Sequence, residues 1–233
     1  MADVTAIPAA PASVGSLPLF FEPFSAISHL FGAFLFLALG LLLLRRGRGS
    51  PLRLAFLGVY VLSGVFLFAM SGVYHMMTPG LAREVMQRLD HSAIFVLIAG
   101  SYTPAHGILF RGWLRWGPLA LIWTAAIVGI TIKTIFFHHL SHWIGLSFYL
   151  TLGWLGVVSA VFIVRRHGYG LLKPLAAGGV AYSVGGLVDL QGWLVLIPGV
   201  IHPHEVFHLA VLAGAFCHWI FVWCFATGEV ILP

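Results

Sequence analysis

Long apolar segments recur along the whole chain, separated by short stretches that contain charged residues, glycine or proline. Each apolar segment has about 20 residues, which in a helix is long enough to cross the hydrocarbon core of a membrane. The pattern therefore predicts seven membrane-spanning helices. They cover approximately residues 24–44, 54–76, 89–110, 116–137, 143–164, 174–189 and 205–226.

The connections between these spans are short, which predicts one all-α domain, a seven-transmembrane helix bundle over residues 24–228. Residues 1–23 are rich in alanine, proline and serine and contain no lysine or arginine. This segment lacks the basic region of a signal peptide, and we expect a flexible tail. Residues 229–233 are expected to form a short C-terminal tail.

The composition supports a membrane protein, because 60% of the 233 residues are hydrophobic and only 8% are charged. Soluble domains carry about 25% charged residues. The net charge of +5 does not indicate a nucleic-acid partner, since basic residues of membrane proteins collect in the loops of one side.

The basic residues also predict an orientation. Of the 12 lysines and arginines, three lie on the side of the N-terminus, namely Arg83, Arg88 and Lys133, and the other nine lie on the opposite side. The positive-inside rule then places the N-terminus outside the cell and the C-terminus in the cytoplasm.

Three helix ends on the N-terminal side carry polar residues, which are costly to bury in a membrane. The second span ends with Ser71 and His75, the third begins with Asp90, and the seventh begins with His204 and His208. Because the second span ends on the side where the third and seventh begin, these residues are expected at a similar depth. His204 and His208 are four residues apart, so they lie on one face of a helix.

His75, His204 and His208 are therefore predicted to bind one metal ion. Three imidazole ligands with an open fourth position are typical of catalytic Zn²⁺ sites. Asp90 would be the fourth ligand or, as we favour, the base that activates a water molecule. Ser71, one turn before His75, would donate a hydrogen bond to an oxyanion.

Other polar residues have simpler interpretations. His29 and His91 are expected to be interfacial or helix-capping residues. Asp189 is expected to be an interfacial carboxylate without a role, or else an additional acid beside the site. A further group has metal-like spacing, but in a loop region we favour solvated interface histidines: His138, His139 and His142.

Four segments together resemble the hemolysin III family. They are EPFSAISHLFGA (22–33), SGVYH (71–75), RLDHSAIFVLIAGSYTP (88–104) and PGVIHPHEVFHLAVLAGAFCHW (198–219). That family is the bacterial branch of a superfamily that includes the adiponectin and progestin receptors and, more distantly, the alkaline ceramidases. The resemblance covers residues 22–228.

The resemblance implies a seven-helix protein of the bacterial inner membrane with Zn²⁺ held by His75, His204 and His208. Ser71 and Asp90 match the remaining motif positions. In related proteins this site is associated with hydrolysis of lipid amides such as ceramides. Two features depart from the family: Asp189 stands where relatives tend to have an aromatic residue, and the predicted orientation is opposite to that of the eukaryotic receptors.

Three functions follow as hypotheses. The first is a zinc-dependent hydrolase of lipid amides, with membrane lipids as partners and with space for an acyl chain at Gly72, Gly100 and Gly185–Gly186. The second is a receptor-like regulator of membrane lipid homeostasis with a structural zinc site. The third, an ion or proton transporter, is weaker because the polar groups of the spans lie mostly on one side. The sequence leaves the oligomeric state open.

Overall fold

The computed structural model describes residues 20–232, and within this range the chain forms α-helices joined by short loops. The helices are α1 (Pro23–Arg46), α2 (Pro51–Met76), α3 (Leu81–Leu109), α4 (Trp113–Ile135), α5 (His142–Trp154), α6 (Gly156–His167), α7 (Leu172–Gln191) and α8 (Pro203–Trp223).

Seven helical segments in this range are long and apolar enough to cross a membrane. The segments α5 and α6 together make the fifth, and a 3₁₀ turn at Tyr169–Leu171 joins α7 to make the sixth. The predicted all-α, seven-transmembrane fold is confirmed.

The bundle follows the chain order. Helix α1 packs on α2, α2 on α3, α3 on α4, and α7 on α8, while α8 also contacts α1 and α3. The outer surface is covered by large apolar side chains such as Phe34 and Leu62, which are 71% and 69% exposed. In a membrane such a surface contacts lipid, so its exposure stabilises insertion. The end of α2 and the starts of α3 and α8 lie at the same end of the helix bundle.

The chain just before α1 is attached to the end of α2. The Phe21 N–H donates to the Met76 carbonyl at 3.2 Å, and the Glu22 N–H donates to the His75 carbonyl at 3.0 Å. These bonds place the Glu22 side chain beside His75. Most of the N-terminal tail expected from the sequence, residues 1–19, lies outside the described residues, as does residue 233.

Helix α3 begins eight residues earlier than expected, at Leu81 instead of near residue 89. Its first two turns contain the charged residues Arg83, Glu84 and Arg88. Apolar periodicity detects only the part of a helix that lies in the hydrocarbon, so it misses a polar extension. A guanidinium N–H of Arg88 donates to the Thr134 carbonyl at 2.6 Å, which fixes this extension to the end of α4.

The fifth span is interrupted at Leu155, which separates α5 from α6. The Tyr102 hydroxyl lies 3.0 Å from the carbonyl oxygens of both Leu152 and Gly153. A side-chain donor inserted into the helical hydrogen-bond ladder is a known cause of a helix break. The sequence predicts a continuous span here, because the apolar pattern carries on through the break.

Four glycines were expected to leave room for an acyl chain: Gly72, Gly100, Gly185 and Gly186. A Cβ atom at Gly100 would collide with Ser63 Oγ, and at each of the other three a neighbouring side chain would lie within 2.7 Å of the added atom. The expectation is therefore wrong. These glycines are positions of close helix contact, because small residues allow helix backbones to approach.

Within the described residues, a cavity of about 620 Å³ lies between α3, α5, α6, α7 and α8. Its wall is formed mainly by apolar side chains, among them Leu97, Tyr149 and Val211. One end reaches Ile94 and Phe207, close to the polar end of the bundle, and the other reaches residues of α6 near the opposite end. Ligand pockets in proteins commonly have about 300–1,000 Å³, so the cavity can hold a long apolar chain.

Candidate metal centre

Three histidine side chains meet where α2 ends and α8 begins. His75 lies in the last turn of α2, and His204 and His208 lie in the first two turns of α8. The Nε2 atom of His204 is 3.4 Å from Nε2 of His75 and 3.2 Å from Nε2 of His208. One ring nitrogen of each of the three lies within 4.8 Å of the others. The structure thus brings together the three residues that the sequence predicts as metal ligands.

The two Nε2–Nε2 distances from His204, 3.4 and 3.2 Å, fit the ligands of a tetrahedral ion. Zn–N bonds of about 2.0–2.1 Å at tetrahedral angles separate two nitrogen ligands by roughly 3.3–3.4 Å. His75 and His208 are 2% exposed, whereas the side chain of His204 is 43% exposed. The three histidine rings, called the histidine group below, are therefore shielded on the side of the bundle interior and accessible from the side of His204.

Carboxylates fix the tautomers of two of the rings. Nδ1 of His204 lies 3.0 Å from Asp189 Oδ1, and Nδ1 of His75 contacts Glu22 Oε2. An ionised carboxylate can only accept, so each Nδ1 carries the proton and each Nε2 presents its lone pair to the centre. Metal-binding histidines usually have such a partner, which orients the ring and makes it a better ligand.

Glu22 is held in place by Arg83. A guanidinium nitrogen of Arg83 lies 2.8 Å from Glu22 Oε2, and the guanidinium stacks on the rings of Tyr74 and Phe21 at 4.4 and 4.6 Å. Burial by itself raises the pKa of Glu22, but the hydrogen bonds from His75 and Arg83 outweigh it and lower this pKa to about 2. Glu22 is therefore ionised at physiological pH and remains an acceptor for His75.

His29 supports the third ring. Its imidazole stacks on that of His208 with the ring centroids 3.8 Å apart and an angle of 18° between the planes. His29 Nε2 also lies 3.4 Å from the His208 carbonyl oxygen, and the residue is only 3% exposed. The expectation of an interfacial or capping role for His29 is therefore wrong, since it is a buried packing partner of a predicted ligand.

The start of α8 is fixed by Glu205. One carboxylate oxygen of Glu205 accepts from the His202 N–H at 3.1 Å, and the other accepts from the Ser25 hydroxyl at 2.9 Å. The first bond satisfies a backbone donor that a helix start leaves unpaired. The second joins α8 to α1, so the first turn of α8, which carries His204, has a defined position in the bundle.

Ser71 and Asp90 occupy different positions relative to the three rings. Ser71 is 2% exposed and lies one turn before His75 on α2. Asp90 lies on α3, where its Oδ2 is 3.8 Å from His91 Nδ1. Within residues 20–232 the group of close potential ligands consists of the three histidines and does not include Asp90. The close group of possible ligands in the described part of the chain is therefore made of three imidazoles.

Of the two interpretations of Asp189, the contacts favour an additional acid beside the site over an interfacial carboxylate without a role, because its carboxylate bridges two histidines. Besides His204 at one oxygen, it contacts His142 Nε2 at 3.2 Å with the other. His138 instead lies 3.2 Å from a guanidinium nitrogen of Arg88. His138 and His142 thus face different partners, and they do not form the chelating pair that their spacing allows.

Sequence reasoning missed Glu22, Arg83, His29 and the contact of Asp189. The scarcity of acidic residues could have indicated these partners, because the chain has only seven aspartates and glutamates. Three of these seven, Glu22, Asp189 and Glu205, lie around the histidine group. In an apolar chain, acids that fall at span ends on one side indicate partners for buried cations or imidazoles.

Comparison with known proteins agrees with the motifs. Residues 19–219 match the family described as Haemolysin-III related. The chain is 36% identical to Hemolysin-3 of Bacillus cereus over 196 residues, which is 82% of this chain and 85% of the relative. It is 28% identical to the Hemolysin-3 homolog of Bacillus subtilis (strain 168) over 193 residues, 82% of this chain and 87% of the relative.

The family match runs from the segment before α1 to the last turns of α8, and it includes every residue of the histidine group. The chain is an integral membrane protein with seven spanning helices, and it belongs to the Haemolysin-III related family.

Proposed function

We propose that this chain is a Zn²⁺-dependent hydrolase that cleaves amides of long-chain lipids, such as ceramide-like molecules, within the membrane. The observation that carries the proposal is the arrangement of His75, His204 and His208. Their Nε2 atoms converge, and two of the three rings direct Nδ1 to carboxylates. Imidazole nitrogens in tetrahedral arrangement favour Zn²⁺ among the common divalent ions.

The chain's own residues supply the acid–base chemistry. Bound Zn²⁺ would act as a Lewis acid that polarises an amide carbonyl and favours ionisation of water near neutral pH. Asp90 is assigned as the base that accepts a proton from the attacking water and passes it to the leaving amine. It is suited to this role because it is not one of the close ligands. Ser71 is assigned as a hydrogen-bond donor to the developing oxyanion.

The open fourth position distinguishes this proposal from a structural zinc site. Structural sites are normally closed by four protein ligands, whereas catalytic sites keep one position for water or substrate. Here the third and most exposed imidazole, His204, borders solvent, and three ligands are available. A receptor-like regulator with a structural ion is the alternative that the experiments below distinguish.

The cavity supplies the binding site for the acyl chain of the substrate. It begins at Ile94, one turn after Asp90 on α3, and at Phe207, which precedes the ligand His208 on α8. An acyl chain in this cavity would direct its polar end to the histidine group. Because the acyl chain comes from the hydrocarbon of the bilayer, its transfer into the cavity contributes little hydrophobic free energy. The cavity would instead fix the position of the amide beside the histidine group.

We assign the protein to the bacterial inner membrane, with the N-terminus and the histidine group on the outer side. The support is the distribution of lysine and arginine, since nine lie on the side opposite to the N-terminus and three on the N-terminal side. The side with more basic residues is usually cytoplasmic. The substrate would then be drawn from the outer leaflet of this membrane.

The first experiment is metal analysis of detergent-purified protein. We expect about one Zn²⁺ for each chain in the wild type, and we expect loss of the metal in His208→Ala. His139→Ala is the matched control, because His139 lies outside the histidine group. Equal metal content in the wild type and His208→Ala would contradict the proposed site.

The second experiment measures hydrolysis of fluorescent lipid amides in vesicles. Asp90→Asn is expected to keep the metal and to lower the turnover rate by about 100-fold or more, since loss of a general base typically has this effect. Full activity of Asp90→Asn would refute its role as base. A metal-loaded wild type that hydrolyses none of the amides would instead support a structural ion.

A further inference from the structure

A second pair of polar side chains faces the same cavity at the opposite end of the bundle. His106 lies in the last turn of α3, and Ser159 lies in the first turn of α6. Both line the 620 Å³ cavity. Between Asp90 and His106 the helix rises by about 24 Å, so this pair is separate from the histidine group.

The hydrogen bonds of His106 define its tautomer. Nδ1 lies 2.7 Å from the carbonyl oxygen of Leu114, which can only accept, so Nδ1 carries the proton. Nε2 is then an acceptor, and it lies 2.8 Å from Ser159 Oγ. The Ser159 hydroxyl therefore donates its hydrogen to His106. This is the arrangement of a nucleophile, a base within hydrogen-bond reach, and a third group that orients the base.

The imidazole is held rigidly. His106 is 3% exposed, and its ring stacks between Tyr102 and Phe110, with interplanar angles of 7° and 28°. Ser159 lies in the turn that follows the break between α5 and α6, where its hydroxyl borders the cavity. Nucleophilic catalysis requires a fixed base beside a hydroxyl that a substrate can reach. A hydrogen bond that only joins two helices would not need to border a cavity, so the position of the pair favours catalysis.

The location suggests the substrate. The pair lies near the membrane face where α3 ends and α4 begins, about one helix turn from Phe110. At this depth the apolar core of a bilayer meets the headgroup region, where the ester carbonyls of glycerolipids lie. The sequence places most of the arginines on this side, which favours lipids with anionic headgroups.

We propose that His106 and Ser159 form a second, metal-independent catalytic site that hydrolyses fatty-acyl esters of membrane lipids whose acyl chain occupies the cavity. Ser159 Oγ attacks the ester carbonyl carbon and its proton passes to His106 Nε2. The bond to the leaving alcohol then breaks as that alcohol takes the proton from Nε2. Water repeats the sequence on the acyl-serine and releases the fatty acid, with no oxidant or metal required.

The site does not depend on the proposed zinc chemistry, and the two can be tested separately. The probe is a long-chain alkyl fluorophosphonate, which reacts with activated serine hydroxyls, applied to the full-length protein in vesicles. We expect labelling of Ser159, identified in the digested peptide by mass spectrometry. His106→Gln should slow labelling by about 100-fold or more, as loss of a general base does.

Two controls define the result. Ser101→Ala removes another serine that lines the cavity, whose hydroxyl is bound to the Leu97 carbonyl at 2.8 Å, and it should leave labelling unchanged. Ser147→Ala removes a serine outside the wall of the cavity, whose hydroxyl is bound to the Trp143 carbonyl at 2.8 Å, and it should also leave labelling unchanged.

Turnover is measured with a glycerophospholipid that carries a fluorogenic acyl ester. The wild type should release the fluorophore, and Ser159→Ala should not. If Ser159→Ala does not fold, as judged by its elution as a single species in detergent, Ser159→Cys and His106→Gln replace it. The proposal is overturned if the folded wild type is not labelled at Ser159, or if His106→Gln is labelled at the wild-type rate.

Discussion

At the scale of single residues, each of the three predicted zinc ligands has its own supporting group. Glu22 contacts His75, Asp189 contacts His204, and His29 stacks on His208. None of these partners lies near its ligand in the sequence, apart from Asp189 at a distance of 15 residues. Spacing rules find residues that share a helix face, so they identified His204 and His208 but could not find partners from other helices.

Removal of either carboxylate should weaken metal binding. We expect Glu22→Gln and Asp189→Asn each to lower the Zn²⁺ affinity by about 10- to 100-fold, because an amide orients the neighbouring imidazole less firmly than a carboxylate does. Competition with a chromophoric chelator measures the affinity in detergent. Glu84→Gln, at an exposed acid in the first turn of α3, is the control and should bind like the wild type. Unchanged affinity in both variants would show that the carboxylates do not support the ligands.

At the scale of the helices, close packing depends on glycines at helix–helix contacts. The sequence does not distinguish these glycines from those that contact no other helix. Gly100 of α3 faces Ser63 of α2, whereas a Cβ atom added at Gly58 of α2 would have no neighbouring atom within 4 Å. The two glycines look alike in the sequence, since each interrupts an apolar helix. Only the packing of neighbouring helices determines which one can accept a side chain.

This difference predicts opposite effects of one substitution. Gly100→Ala should lower the free energy of unfolding by about 1–3 kcal/mol, because the added methyl group collides with Ser63 in a tightly packed contact. Gly58→Ala should be neutral or raise it by up to about 1 kcal/mol, because alanine favours the helix and meets nothing. Thermal unfolding of the detergent-purified variants, followed by intrinsic tryptophan fluorescence, measures both. Equal stability of the two variants would contradict the contact.

At the scale of the whole molecule, the histidine group connects helices that are distant in the sequence. His75 belongs to the second span and His208 to the last, so an ion bound by both would hold the first and second halves of the chain together. The contacts of α8 with α1 and α3 also join the two halves and close the bundle.

Removal of the ion should therefore destabilise the bundle as a unit. A ligand present at about 1,000 times its Kd stabilises the folded state by about 4 kcal/mol, and each kcal/mol shifts Tm by about 2–4 °C in a chain of this size. We therefore expect a chelator to lower Tm of the wild type by about 8–16 °C and to leave Tm of His208→Ala unchanged. A chelator without effect on the wild type would indicate that no bound ion stabilises the fold.

The orientation of the whole bundle is also open to test. Nine basic residues on the side opposite to the N-terminus predict a cytoplasmic C-terminus. A reporter fused after Pro233 that fluoresces only in the cytoplasm should be active, and an alkaline phosphatase at the same position should be inactive. The reverse pattern would place the histidine group at the inner face.

The sequence by itself determined the seven helices, since an apolar run of span length has no other stable form in a membrane. It also determined that His75, His204 and His208 lie at one depth, because counting spans fixes the side on which each helix begins. Tertiary structure alone decided the carboxylate partners, the stacking of His29, the contact glycines and the cavity beside His106 and Ser159. These features depend on the rotation of each helix about its own axis. Hydropathy does not indicate that rotation when nearly every face of a helix is apolar.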